Sequence, residues 1–284
     1  MLIGHWQANL ESLSPRADFH ALPLPDRLIP AARDLVAAHG VHAVYAANAL
    51  AEPDGDFLAL MVGDLLQGLC WFGSRGNLVI VAGEDVPAAA AAAAIQAARI
   101  PWRIAMGPGP LVDALVPHLA SRPLLHRDQA WYAVRPRDAD PGAAGHEVRL
   151  AQRGDREALM SATLQLNESD LHIDPRRVDR RWLRDSVLAR IAEGSTHVIG
   201  PVGGVQAKLD VGSRGPGGCV IEGVFTMPAW RGRGLAAGLV ATVAAQREEP
   251  IVCLHVGVGN APARAAYARA GMAERGRCRL LLLG

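Results

Sequence analysis

The sequence predicts an α/β (α+β) protein built in two halves, and three observations carry that reading. The chain has 284 residues, and single domains commonly run to about 100–200 residues, so two domains fit. Half of the residues are hydrophobic and 20% are charged, enough apolar material for a packed core and too much for a disordered chain. Strand-like and helix-like apolar patterns alternate on both sides of Arg135-Pro136-Arg137-Asp138-Ala139-Asp140-Pro141-Gly142-Ala143-Ala144-Gly145, a charged stretch rich in Pro, Gly and Ala without apolar periodicity. The boundary is placed there, giving an N-terminal α/β domain over residues 1–137 and a second domain over 146–284, each long enough for its own core.

In the N-terminal half, residues 28–38 read as a helix, and 57–62, 69–72 and 78–82 as strands, the last entered through a Gly-Asn turn. Residues 88–99 follow as a helix on alanine propensity alone. A strand is expected over 103–106, a turn at Gly107-Pro108-Gly109-Pro110, a helix over 111–119 and a strand near 131–134. No catalytic constellation stands out in this half.

The C-terminal half reads more clearly. Residues 148–151 are expected as a strand, Asp155 as the cap of a helix to about Leu166, and 167–174 as a polar loop. A helix over 178–192 leads into a hairpin of 196–199 with 205–211, and a strand over 219–226 follows the glycine-rich turn at 215–218. A helix at 234–246, a strand at 251–256, a helix at 261–270 ended by Gly271 and a strand at 277–283 complete the order β-α-α-β-β-β-α-β-α-β.

Composition excludes several function classes. With 29 basic against 28 acidic residues and no long run of one sign, the chain lacks an electrostatic footprint for nucleic acid. Cys70, Cys219, Cys253 and Cys278 are far apart and show no metal-ligand spacing, so no metal is expected and a reduced, intracellular chain is the simplest reading. The first residues, MLIGHWQANLESL, have no positive start and no sustained apolar core, and no later run is long enough to span a bilayer. The expectation is a cytoplasmic protein without membrane contact.

One segment carries chemistry: Glu222-Gly223-Val224-Phe225-Thr226-Met227-Pro228-Ala229-Trp230-Arg231-Gly232-Arg233-Gly234-Leu235-Ala236. Here an expected strand ends and a glycine-rich turn opens a helix. The first amides of a helix lack partners and sit at the positive end of its dipole, so an anion is stabilised there. Gly232, Gly234 and Ala236 lack bulk where a phosphate must approach backbone, and Arg231 and Arg233 add positive charge. The segment reads as a diphosphate cradle. Gly232, Gly234 and Ala237 also fit the dinucleotide fingerprint, but the strand and turn at 254–259 bring no acidic residue for a ribose. A P-loop fails for want of Lys-Ser/Thr after the glycines. A glycine turn that merely caps a helix is the plain alternative.

Context decides between these readings. Arg231-Gly232-Arg233-Gly234-Leu235-Ala236 resembles the acyl-CoA loop of the GNAT superfamily of N-acetyltransferases, Arg/Gln-x-x-Gly-x-Gly/Ala, with Pro228 before it as in many members. One helix and one strand later, Asn260-Ala261-Pro262-Ala263-Arg264-Ala265-Ala266-Tyr267-Ala268-Arg269-Ala270-Gly271-Met272 resembles the family's Asn-x-x-Ala-x-x-x-Tyr-x-x-x-Gly-Phe segment. Met272 in place of Phe and Ala236 in place of the commoner Gly are the departures. The resemblance covers residues 147–284 and implies a GNAT-type mixed, largely antiparallel sheet flanked by helices. The whole chain is similar to bacterial GNAT proteins that carry an extra N-terminal domain, and by that analogy residues 1–137 are a degenerate second GNAT-like fold.

The resemblance also implies roles. The cosubstrate would be acetyl-CoA, held by backbone of Val224, Phe225 and Thr226, by the loop from Arg231 through Gly232, Arg233, Gly234 and Leu235 to Ala236, and by Asn260. Glu222 would be the base that deprotonates the amine, Tyr267 the acid for the departing thiolate, and a Phe225 amide a donor to the thioester oxygen. Glu168, His172 and His255 would line the acceptor pocket, the acceptor being a small-molecule or peptide amine. Strand alternation places Glu222, Val224 and Thr226 on one face. Homodimers are common in the superfamily. The rival reading is a non-catalytic acyl-CoA-binding or regulatory protein.

Overall fold

The computed structural model describes residues 18–52, 54–140 and 145–284. The reading of the first residues and the Pro141–Ala144 part of the boundary segment lie outside them. The N-terminal half comprises β1 (Phe19–Pro23), α1 (Ile29–His39), α2 (Val44–Ala51), β2 (Asp56–Val62), β3 (Leu65–Gly73), β4 (Asn77–Ala82), α3 (Ala88–Ala97), β5 (Ile104–Gly107), α4 (Gly109–Asp113) and β6 (Leu125–Val134). The C-terminal half comprises β7 (Val148–Leu150), α5 (Arg156–Leu171), α6 (Arg180–Ala192), β8 (Thr196–Ile199), β9 (Ala207–Gly215), β10 (Gly218–Thr226), α7 (Leu235–Ala245), β11 (Val252–Gly257), α8 (Ala261–Arg269) and β12 (Ala273–Leu282).

Read in sequence, both halves follow the same path, β-α-α-β-β-β-α-β-α-β, which is the order expected for the second half alone. In space they share one twelve-stranded sheet, ordered β1-β2-β3-β4-β5-β12-β6-β11-β10-β9-β8-β7. That order reads the same from both ends once each half's last strand is exchanged with the other's: β12 lies beside β5, and β6 lies beside β11. Only β4 with β5 and β10 with β11 are parallel, and each of these pairs is joined by a crossover helix, as parallel neighbours require. The sheet is therefore mixed and largely antiparallel.

Alternation along the strands divides the core between two faces. Leu69, Trp71, Val79, Val81, Trp131, Val220 and Cys253 pack under α1 and α2 on what we call the front. Cys70, Phe72, Leu78 and Ile80 pack against α3 and α4 behind, and Tyr132, Leu209, Ile221, Val252 and Leu254 against α7 and α8, also behind. The α5–α6 pair covers the outer front of the second half, around Leu159, Leu183, Val187 and Val198.

Several expectations are corrected. β1 and α2 were not expected, and β6 starts at Leu125, six residues earlier than the expected strand at 131–134, because its polar residues face charged partners: Arg279 of β12 pairs with Asp128 at 2.8 Å. The helix expected at 111–119 is α4 followed by a separate single turn, Val116–His118, with a proline at its start. The loop expected at 167–174 is largely helix: α5 continues to Leu171, which reaches the front core together with Ile173, and it ends at His172 with φ +58°. Asp155 does not cap α5 through its side chain. It accepts from the Gln152 and Gly203 amides and from both terminal nitrogens of Arg149, pinning β7 to the start of the helix.

The one lysine of the sequence is spent on structure. Lys208 Nζ donates to Asp210 Oδ2 at 2.6 Å with both side chains buried, Arg190 of α6 joins the same oxygen at 2.5 Å, and Thr196 donates to Oδ1. Burial pushes the Asp210 carboxyl up, but Lys208 and Arg190 outweigh it and hold the group below the usual carboxylate range. A carboxylate depressed on folding adds stability above its unfolded value, and that stability is lost as pH falls through the folded one. Asp210→Ala, which strands Lys208 in the interior, is expected to cost about 3–5 kcal/mol at neutral pH in urea denaturation. The wild-type advantage over this variant should shrink below about pH 4.

Candidate active site

The sheet opens at one place in the second half. β10 and β11 are neighbours, yet they are in register only at Cys219 with Val252 and Val220 with Cys253. Beyond these pairs β10 runs on to Thr226 and β11 to Gly257, so facing backbone edges are left without ladder partners. Unpaired N–H and C=O groups along such edges are free to hydrogen-bond an inserted amide. β10 is also bulged: Glu222 opposes Asp210 and Phe225 opposes Lys208, leaving Gly223 and Val224 across from Leu209 alone. Gly223 sits at φ +57°, and a Cβ there would come 2.8 Å from Asp210 Oδ2, so a side chain is excluded both by conformation and by space.

The bulge overturns the expected alternation. It consumes an extra residue, so Val224 packs behind the sheet near Ile221, whereas the Glu222 side chain lies on the front. There its Oε1 accepts a 2.8 Å hydrogen bond from the hydroxyl of Tyr45.

After β10 the chain makes one turn, Pro228–Trp230, and enters α7. Gly232 and Gly234 both have φ +77°, and an added Cβ at either would meet nothing within 4 Å. Glycine is needed here for backbone conformation, and the space before it is open. The amides of Gly232, Arg233, Gly234, Leu235, Ala236 and Ala237 donate to no acceptor among the described residues, a run of free donors at the positive end of a helix. The Leu235 side chain is buried, which leaves its amide as its contribution. Arg231 donates to the Thr226 carbonyl and lies over the Phe225 ring, and Arg233 lies over the Trp230 ring at 4.6 Å. Both guanidinium groups are thus held beside the free amides by their own neighbours.

Tyr267 is buried on α8, edge-on to Tyr132. Burial, and then the charge of Asp170, pushes its phenol well above the ordinary value, so it stays protonated. Its ring belongs to the rear core. Asn260 caps α8 by accepting from the Ala263 amide and is exposed at the helix start. Of the expected acceptor residues, His255 stands on the front of β11, edge-on to Trp131 at 5.2 Å, and burial pushes its imidazole down to about 4. Its Nδ1 is shielded from solvent and has no partner among the described residues. Glu168 and His172 are not gathered with it: Glu168 lines a groove with Glu157, Gln165 and Arg180 on the outer side of α5, and His172 is exposed at the helix end.

With this geometry in hand, residues 157–272 match the model of the acetyltransferase (GNAT) family. They are a GNAT acetyltransferase domain. The domain spans Glu222, the free-amide loop and Tyr267. Among solved structures, an acetyltransferase of the GNAT family from Colwellia psychrerythraea is 12% identical, with a TM-score of 0.53 over 94% of this chain and 100% of that one. A GCN5-related N-acetyltransferase from Sphaerobacter thermophilus is 17% identical, with a TM-score of 0.56 over 93% and 94%. A Drosophila protein is 13% identical, with a TM-score of 0.60 over 93% and 98%. These likenesses are of fold, and they extend over both halves. Curated protein sequences give no match.

The N-terminal half repeats the GNAT path without its cradle. Between β4 and α3 it carries Gly83-Glu84-Asp85-Val86-Pro87, with Pro87 capping the helix, so this shorter loop brings two carboxylates and no arginine. Its parallel strands also stay close: a Cβ on Gly107 would fall 2.7 Å from the Ile80 carbonyl oxygen. Sequence reasoning missed what this half gives to the site, namely Tyr45 on Glu222 and Trp131 under His255. Arg127 was missed too. It binds both the carboxylate and the carbonyl of Asp170. Among the described residues no group of His, Cys, Asp and Glu is placed to hold a metal ion, and no helix is long and apolar enough to cross a membrane.

Proposed function

We propose that this protein is an acetyl-CoA-dependent N-acetyltransferase that moves the acetyl group to a primary amine by direct attack on the thioester. The observation that carries the reading is the run of six free amides at the head of α7, placed at the end of the gap between β10 and β11. A diphosphate suits the amides and the two arginines, and the gap suits the amide-bearing arm between that diphosphate and the thioester. Acetyl-CoA would supply the activated acyl group.

The chain's own residues divide the remaining work. Glu222 has one carboxylate oxygen engaged by Tyr45, and among the described residues Oε2 has no partner, so it is free to take a proton from the amine, directly or through water. Tyr267 would give its phenolic proton to the leaving sulfur. His255, neutral at physiological pH, shapes the front wall.

Calorimetric titration with acetyl-CoA tests the cradle. One equivalent is expected to bind per chain, because the carboxylates of Glu84 and Asp85 repel a diphosphate in the other half. Gly234→Glu should fold, since its Cβ meets open space, with a local strain of about 1–3 kcal/mol, and should lose binding by at least about a hundredfold through bulk and like charge. Equal binding by both proteins would remove the loop from the site. An amine panel of small aliphatic and aromatic amines and peptide N termini then identifies the acceptor class.

A further inference from the structure

Tyr45 belongs to α2 of the N-terminal half, and the residue it bonds lies 177 positions later on β10. We propose that Tyr45 is a positioning residue for the acyl transfer: the N-terminal half holds the Glu222 carboxylate in its working orientation through this hydroxyl. The inference rests on Glu222 being the base of the proposed reaction.

The geometry around the pair is specific. The Glu222 carboxyl lies over Gly212, where a Cβ would come 2.5 Å from its Cδ, so β9 leaves a slot that only glycine permits. No cation pairs with Glu222 among the described residues; Tyr45 is its donor. Among the ionisable groups near it are several on β9, β10 and β11. Asp210 on β9 is shared by Lys208 and by Arg190 of α6. Cys219 on β10 and Cys253 on β11 both have thiols pushed up by burial, so they carry no charge. His255 follows Cys253 on the same face of β11 and is neutral.

Tyr45 is itself held from several sides. Its ring stacks on Trp71 at 14° and packs against Trp131. Three residues on along α2, Asn48 donates to Ser213 Oγ and to the Gly218 carbonyl and accepts from the Gly217 amide, each at 2.9 Å. This amide clamps the turn between β9 and β10 against the helix, and a Cβ on Gly217 would sit 2.7 Å from that of Ala47. Burial, then the Glu222 charge, drives the Tyr45 phenol well above its ordinary value, so the hydroxyl remains a donor throughout the working range. A hydroxyl held as donor to one carboxylate oxygen fixes the direction in which the other oxygen points.

The test exploits a sequence with only three tyrosines. Fluorotyrosine incorporated into the full chain gives three fluorine resonances, assigned by Tyr45→Phe, Tyr132→Phe and Tyr267→Phe. Glu222→Gln, which replaces the charged acceptor by a neutral one, should move the Tyr45 resonance and leave those of Tyr132 and Tyr267 in place. A Tyr45 resonance that does not move in Glu222→Gln overturns the inference without reference to activity. With the amine that the wild-type chain acetylates fastest in the panel above, Tyr45→Phe should lower kcat about tenfold and leave the KM for acetyl-CoA unchanged. An unchanged kcat, in a chain where Glu222→Gln is inactive, would mean that Tyr45 only packs. If instead Glu222→Gln stays active while the fluorine shift behaves as expected, the pair exists and the assignment of Glu222 as base is what fails.

Discussion

Residues 146–284 expressed alone should not give a folded monomer, even though they contain every residue matched to the GNAT family. Removing the N-terminal half takes β6 out from between β11 and β12, where it pairs with one at six positions and with the other at nine. β11 would become an open edge, which invites pairing with other chains, and β12, whose neighbours β5 and β6 both belong to the N-terminal half, would have no partner. Trp131, 1% exposed in the intact protein, is lost with β6, and deleting one buried aromatic side chain alone costs about 3–5 kcal/mol. A typical domain has only about 5–15 kcal/mol in total. The front of β10 also loses the Tyr45 and Asn48 contacts. Size exclusion and thermal melting should show aggregate or a non-cooperative transition, and co-expression with residues 1–140 should restore a soluble complex that binds acetyl-CoA. A cooperative, monomeric 146–284 fragment would refute the argument from strand exchange. The division at residues 137–146 is therefore proposed as a boundary in sequence between two repeats of one path, with strands of both in each repeat's share of the sheet.

The elements legible in the sequence are those that carry their own signals. The second half shows them throughout: glycines at both ends of the β9–β10 hairpin, Gly234 before α7, Asn260 and Pro262 opening α8 and Gly271 closing it. α2 carries none. Val44, Tyr45, Ala46, Asn48 and Ala49 are all buried, so no polar face marks a period, and neither end has a side-chain cap. β6 was half hidden for the opposite reason, since His126, Arg127 and Asp128 look like loop chemistry until Asp170, Asp113 and Arg279 are placed beside them. The cradle was legible because its residues are consecutive. The bulge in β10 was not, because one inserted residue changes faces without changing composition, and Gly223 was its only trace. The Tyr45–Glu222 bond joins residues from different repeats, and no local pattern reports a contact made only by the shared sheet.

Glu222→Gln is expected to lower kcat by about 10²–10⁴-fold, the usual worth of a positioned base, while acetyl-CoA binding measured by calorimetry stays within about twofold of wild type. The separation follows from placement: the carboxylate lies on the front of β10, and the free amides that would hold the diphosphate begin ten residues later at Gly232. Gln keeps the volume and can still accept from Tyr45, so the fold is preserved and only the proton-accepting oxygen is lost. Tyr267→Phe removes the phenolic proton and keeps the ring on Tyr132. It should depress kcat by at least about tenfold, with the deficit greatest for thioesters whose leaving thiol is the more basic. Because burial and Asp170 push this phenol upward, its loss of a proton should not produce a basic limb in the wild-type profile below about pH 10. A non-catalytic acyl-CoA-binding protein makes the contrary forecast. It would bind acetyl-CoA, lose that binding in Gly234→Glu, and show no acetylated amine that either substitution could diminish.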